Sequence, residues 1–227
     1  MLAGSALITL SSLPYLDLET LPPFVIEKLP VRFEALWLFS LRVHVAAAAL
    51  TFPLCLLLST RFLQRRALVH RFLGRIAGAL VLFVLVPSGS VLAFDAKGGA
   101  LVTAGFLLSA AIVTWGIVRG IACARRRDLV AHRHAMQHVV AQMSVAVVSR
   151  AMIVGFDSYG FDPDVAYVIA LWVPVVAAAA FVELLSPRRQ PAFDSLLPTL
   201  TRIRREALQP IRVRARAFVR PLARSGR

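Results

Sequence analysis

Residues 100–123 read ALVTAGFLLSAAIVTWGIVRGIAC and run directly into Ala124-Arg-Arg-Arg127. This stretch carries a single charge, Arg119. A bilayer core of ~30 Å requires about 20 predominantly apolar residues in a helix, so the run predicts a transmembrane helix. The arginine cluster at its end marks one face of a membrane, because short cytoplasmic connectors collect Lys and Arg.

The same reading extends in both directions. Residues 33–58, 72–94, 135–155 and 165–185 form four more apolar runs of spanning length. The predicted fold class is therefore all-α: a polytopic transmembrane helix bundle with five spans. Composition agrees. The chain has 227 residues, of which 58% are hydrophobic and only 17% charged, against a usual ~25%. Its mean hydropathy is +0.72. Net charge is nonetheless +14. Basicity alone would point to a nucleic-acid binder, but a small soluble globule cannot hide this much apolar surface. A disordered chain is excluded by the same apolar content. Cys55 and Cys123 fall inside apolar runs and read as small buried hydrophobes. Two cysteines make no disulfide framework.

The location of the charge resolves the contrast. Arg61, Arg65, Arg66, Arg71 and Arg75 follow or open one span boundary, and Arg119, Arg125, Arg126, Arg127 and Arg133 surround another. The stretch from Ser186 onward holds eleven Arg. Together these are 21 of the 26 basic residues, and five spans place all of them on one side. The opposite side carries Lys28, Arg32 and Lys97 against Asp17, Glu19, Glu27, Glu34, Asp95, Asp157, Asp162 and Asp164. The expected orientation is N-terminus outside and C-terminus cytoplasmic, in a bacterial inner membrane. The expected organisation is an external segment over residues 1–32, a five-helix domain over 33–185 and a basic cytoplasmic tail over 186–227. Residues 1–32 lack the basic start of a signal peptide, and Pro14, Pro22, Pro23 and Pro30 break any long helix there. The tail mixes Arg with aliphatics. It reads equally well as a solvated topology signal or as a segment lying on anionic lipid headgroups. Partnership with nucleic acid is not expected.

Ionisable residues at membrane depth are costly and are functional candidates by default. His44 and Arg42 lie in the first span, His138 and Arg150 in the fourth, and Glu183 closes the fifth. His70, His132 and His134 sit at the same ends of spans two and four, so all five histidines lie in or at the edge of the bundle. At 100° per residue, His134, His138, Gln142 and Ser149 share one stripe of the fourth helix, with Gln137 and Ser144 flanking it. Such a stripe should face the bundle interior. His134 and His138, four apart, are candidate ligands of one metal, although no carboxylate or Cys stands beside them in sequence. The competing reading is that these histidines cap helix ends and hydrogen-bond their neighbours. A b-type haem needs two axial ligands at similar depth. His44 at ~16 Å from one face and His138 at ~5 Å from the other differ by ~9 Å in height across a ~30 Å core. His70 with His138 or His134 matches better, leaving His44 as a hydrogen-bonded helix contact. Arg150, off the stripe and roughly 8 Å deep, can snorkel outward.

Taken together, His70-Arg-Phe-Leu-Gly-Arg75 after an intramembrane His44, Asp95-Ala-Lys-Gly-Gly99, Phe106, Trp115, His132-Arg-His-Ala-Met136, Arg150, Tyr167, Trp172 and Glu183 resemble the bacterial predicted-membrane-protein family known as domain-of-unknown-function family 2306. The resemblance covers about residues 36–185. Members often read His-Arg-Arg-Trp-Met at the second motif, so His134 and Ala135 depart from it and His134 inherits no family role. The resemblance implies a multi-helix membrane module and supplies no activity. It draws attention to His44, His70, Arg75, His132, Met136, Arg150 and Glu183. Arg71, Arg75, Arg133 and Glu183 are also placed to form ion pairs at one face.

Three functions are in competition. The first is a non-enzymatic membrane component: a small permease, an assembly factor or a subunit of a larger complex. No nucleophile motif or Walker loop accompanies the spans, and this reading leads; a homodimer or a membrane-complex partner is compatible with a bundle of five helices. The second is a redox module holding haem b or a divalent metal through His44, His70, His132 and His138, or through His134 and His138, and linked to quinone. The third, a lipid-active enzyme using His132 and His134 as acid and base, ranks last because no activated Ser or Cys accompanies them.

Overall fold

The computed structural model describes residue 4 and residues 9–17 and 22–185. It contains five helices long and apolar enough to cross a membrane: α1 (Glu34–Leu58), α2 (Ala67–Phe94), α3 (Gly99–Arg125), α4 (Leu129–Ser158) and α5 (Pro163–Leu185). No strand occurs among the described residues. The basic tail, and the lipid-binding reading placed on it, lie outside the described residues. Ahead of α1, residues 9–12 are helical and run into a 3₁₀ turn (Leu13–Leu16), and a short helix (Pro23–Lys28) follows beyond the prolines. The 3₁₀ turn rests on α1, and the Arg42 guanidinium donates to the Asp17 carbonyl at 3.3 Å.

Two helices start earlier than hydropathy indicates. α2 begins at residue 67 rather than 72, and α4 at residue 129 rather than 135. Hydropathy locates the apolar part of a span. The helix itself continues through Arg and His into the interface, because those residues do not oppose helical backbone. Asp128 sets the actual start of α4, its carboxylate accepting from the Ala131 amide at 3.0 Å.

Short connectors force antiparallel neighbours. Two of them are built alike. At the end of α3, the Asp128 amide donates to the Cys123 carbonyl and the Arg127 amide to the Ala124 carbonyl. At the end of α4, Phe161 donates to Phe156 and Gly160 to Asp157. Both are Schellman turns, with Arg127 (φ 61°) and Gly160 (φ 69°) in the left-handed position. In the second, the Phe156 and Phe161 rings pack 5.1 Å apart, and Asp162 then caps α5 by accepting from the Asp164 and Val165 amides.

The most extensive interfaces are α3–α4 and α4–α5, and α3 also touches α5, so these three helices form a tight group around α4. α1 packs on α2, and α2 closes the row against α3. One core cluster joins Val81, Val113, Ile117 and Val139, and a second joins Val102, Val145, Leu171 and Val175. Close approach of α3 to α4 depends on Gly116 and Gly120. A Cβ on Gly116 would sit 3.0 Å from the Ala135 carbonyl oxygen, and one on Gly120 would run into the Met136 methyl. Small residues four apart are the usual means of bringing spanning helices together. Phe39, Phe83, Val154 and Phe181 point outward, which only a hydrocarbon surround makes favourable.

Candidate functional site

The ends of the bundle follow from the hairpin order. The end of α1 with the start of α2, the end of α3 with the start of α4, and the end of α5 share one side. His70, His132, His134, His138 and Glu183 are therefore gathered at the arginine-rich end, and the chain resolves them into two groups.

The first group is built on α4 and α5. His138 is buried (4% exposed) and lies about 13 Å along α4 from its start. Its Nε2 lies 2.8 Å from Oε1 of Glu183. One helical turn earlier, His134 Nε2 comes to 3.5 Å of the same oxygen and has no hydrogen-bond partner. The two imidazoles meet edge to face at 5.0 Å, and Trp115 of α3 packs edge-on to His138 at 5.5 Å. Arg119, one turn further along α3, lies over the Trp115 ring at 5.1 Å. Below His138, the polar stripe continues inward as expected. Gln142 accepts from the Ser109 hydroxyl at 3.1 Å and donates to the Val175 carbonyl at 2.9 Å, tying α3, α4 and α5 together. Ser144 is buried and donates back to Val140, whereas the Ser149 hydroxyl is buried without a partner. Gln137, expected beside the stripe, is exposed.

This cluster opens on a groove of about 600 Å3 between α3 and α5. Leu108, Ile112 and Trp115 form one wall, Val175, Val176 and Ala179 the other, and His138 and Glu183 supply the polar end. The carboxylate that the spacing of α4 failed to provide thus comes from α5, forty-five residues away. No local signal in the sequence joins Glu183 to His138, and Trp115, Ser109 and the groove had no site role assigned from sequence.

The second group corrects the expected pairing of histidines. His70 of α2 faces His132 of α4, with ring centres 6.5 Å apart, rather than His138 or His134. His132 Nδ1 lies 2.8 Å from the Gly120 carbonyl oxygen, to which it donates, and His70 Nδ1 is buried without a partner. The reason is rotation about α4: His132 is two residues from His134, ~200° around the helix, and so looks toward α2 while His134 and His138 look toward α5. Met136, adjacent to this group, fills the space left by Gly120.

His44 is separate from both groups. Its Nδ1 lies 3.1 Å from the Leu85 carbonyl and 3.3 Å from the Ser88 hydroxyl. Leu85 closes a π-helical turn, Val81–Leu85, ahead of Pro87. Gly89 leaves room for the ring, since a Cβ there would lie 2.8 Å from His44 Cε1. Arg150 is exposed, its guanidinium donating to the Ala146 carbonyl. Arg75 is exposed, and Arg71 turns back to donate to the Ala67 carbonyl. Glu183 lies against His134 and His138. Cys55 is buried and Cys123 half-buried, both as free thiols.

A family model described as "Predicted membrane protein (DUF2306)" matches residues 41–186. No curated protein and no solved structure matches the chain.

Proposed function

Because the chain belongs to the predicted membrane protein family DUF2306, we propose a role inside the bilayer: a non-enzymatic component of carrier or permease type that holds a lipid-phase small molecule in the α3–α5 groove. The observation that carries this reading is the groove itself, apolar along both walls and ending on the His138–Glu183 pair. Ligand sites are mostly apolar, with a few placed polar groups that orient the guest, and the buried His138 with the exposed Glu183 beside it supplies such groups at one end of the groove. An apolar tail would lie along Ile112 and Val176, and a hydrogen-bonding head would meet His138 and Glu183. Of the three forms first considered, a permease uses such a groove directly, whereas an assembly factor or complex subunit needs only an outer face. The setting proposed is a bacterial inner membrane, with the N-terminus outside and the arginine-rich end cytoplasmic, and with the basic tail against anionic headgroups.

Native mass spectrometry of the full chain released from detergent tests this. A co-purifying small molecule is expected, and Val176→Phe, which fills the groove, should remove it. Equal occupancy in the variant, or a wild-type protein that carries nothing after mild extraction, would rule the reading out.

A second reading, a redox module with haem b, is favoured by one observation: His70 of α2 and His132 of α4 lie with ring centres 6.5 Å apart and planes at 84°. Two imidazoles ligating one metal at about 2 Å each place their ring centres about 6 Å apart. A hydrogen bond from Nδ1 to a carbonyl, as His132 makes, orients such a ligand. A visible spectrum of the purified protein decides it, because absence of a Soret band excludes haem.

A further inference from the structure

We propose that His134, His138 and Glu183 form a three-ligand site for a divalent transition metal of the zinc class. This inference rests on the ligand atoms alone and does not depend on the groove carrying a guest. The ligand atoms of the three side chains all lie within 4.8 Å of one another. Metal–nitrogen and metal–oxygen bonds of about 2.0–2.2 Å in a tetrahedral arrangement give ligand–ligand edges of roughly 3.3 Å. Two edges here, His138 Nε2 to Glu183 Oε1 at 2.8 Å and His134 Nε2 to the same oxygen at 3.5 Å, bracket that value. The third edge, between the two imidazole nitrogens, lies within 4.8 Å, so a metal enters when the two rings close toward one another by up to about 1.5 Å, within the reach of side-chain rotation.

An independent observation points the same way. His134 Nε2 is buried, directed at the carboxylate, and makes no hydrogen bond. A buried polar atom without a partner costs about 1–3 kcal/mol, and coordination satisfies it. The donor set is also specific. Two imidazoles and one carboxylate suit zinc or ferrous iron, not calcium or magnesium, which prefer oxygen. Three protein ligands leave a fourth position open, and His138 and Glu183 both line the groove, so that position faces the groove. His134 lies at i−4 from His138 on α4, and Glu183 is two residues from the end of α5, so the site is a short distance from the aqueous phase at the arginine-rich end. Coordination through His138 Nε2 moves that ring's proton to Nδ1, a buried nitrogen with no hydrogen-bond partner of its own, and replaces the hydrogen bond to Glu183 with two bonds to one ion.

The test uses the untagged full chain in detergent, stripped with EDTA and titrated with Co2+ alone. One equivalent is expected to bind with visible d–d bands, and Zn2+ should displace it. Glu183→Gln keeps the side-chain size and should weaken Co2+ binding at least 100-fold. His134→Ala should do the same, and Gln137→Ala, on the exposed face of α4, should leave it unchanged. Circular dichroism and a thermal melt confirm that each variant is folded. Val176→Phe separates this inference from the groove reading, since it blocks a guest and should leave Co2+ affinity as in the wild type. Unchanged affinity in folded Glu183→Gln, or no stoichiometric binding by the wild-type chain, would overturn the proposal.

Discussion

At His44 the imidazole bonds to Leu85 and Ser88 across the α1–α2 interface, beside the gap left at Gly89. Removing the ring deletes this contact and leaves a cavity, so His44→Ala should cost about 1–3 kcal/mol, read as a lower melting temperature in detergent. Gly89→Ala should also destabilise, because its Cβ would meet the ring at 2.8 Å. The two changes should be clearly non-additive when combined, since the first removes the atoms that the second strikes. Additive losses would mean that the two residues do not share this contact. Gln142 makes a similar point further along α4. It is 3% exposed and bonds to both α3 and α5. Gln142→Leu keeps most of the volume and should cost about 0.6–2 kcal/mol, within the range of hydrogen bonds between spanning helices. In a structural role of this kind, neither His44→Ala nor Gln142→Leu should alter the Co2+ stoichiometry.

The two Schellman turns differ in one respect with a measurable consequence. Gly160 occupies its left-handed position without penalty, while Arg127 holds the equivalent place in the α3–α4 turn with a Cβ. The left-handed conformation costs an L-residue about 1–2 kcal/mol. Arg127→Gly should therefore stabilise the bundle by up to about 1 kcal/mol, and Gly160→Ala should destabilise it by a similar amount, both measured by thermal unfolding. Equal and opposite signs are the informative result; destabilisation by Arg127→Gly would show that the arginine side chain contributes more than its backbone costs. The α3–α4 interface allows a second contrast. Gly116→Ala places a methyl 3.0 Å from the Ala135 carbonyl oxygen, part of a helix that cannot yield locally, whereas Gly120→Ala strikes the flexible end of Met136 and comes only to ordinary contact with the Ala135 Cβ. Gly116→Ala should be the more destabilising, by about 1–3 kcal/mol.

Across the bundle, the arginines collect where α1 meets α2, α3 meets α4, and α5 ends. In a cysteine-free background with Cys55 and Cys123 replaced, a membrane-impermeant maleimide added to intact spheroplasts should label Asp157→Cys and leave Arg126→Cys unlabelled until lysis. The reverse pattern would invert the proposed orientation. Five spans were readable along the chain because hydrocarbon thickness imposes a length on each apolar run, and charge sorting between connectors is a one-dimensional property. The polar stripe through His134, His138 and Gln142 was readable for a related reason, since helical periodicity alone groups residues on one helix. Partners on other helices are another matter. That His138 meets Glu183, that His70 meets His132 and not its neighbours two and six residues on, and that Trp115 walls a groove all depend on how the helices rotate and how closely they approach. Those quantities are set by Gly116 and Gly120, by Asp128 extending α4 beyond its apolar stretch, and by the π-helical turn in α2. Hydropathy and periodicity carry no term for helix rotation or for contacts between residues forty-five apart. The amino-acid sequence thus settles the membrane class, the number of spans and the side on which charge collects, while the convergence of two imidazoles and one carboxylate arises only when α4 and α5 pack.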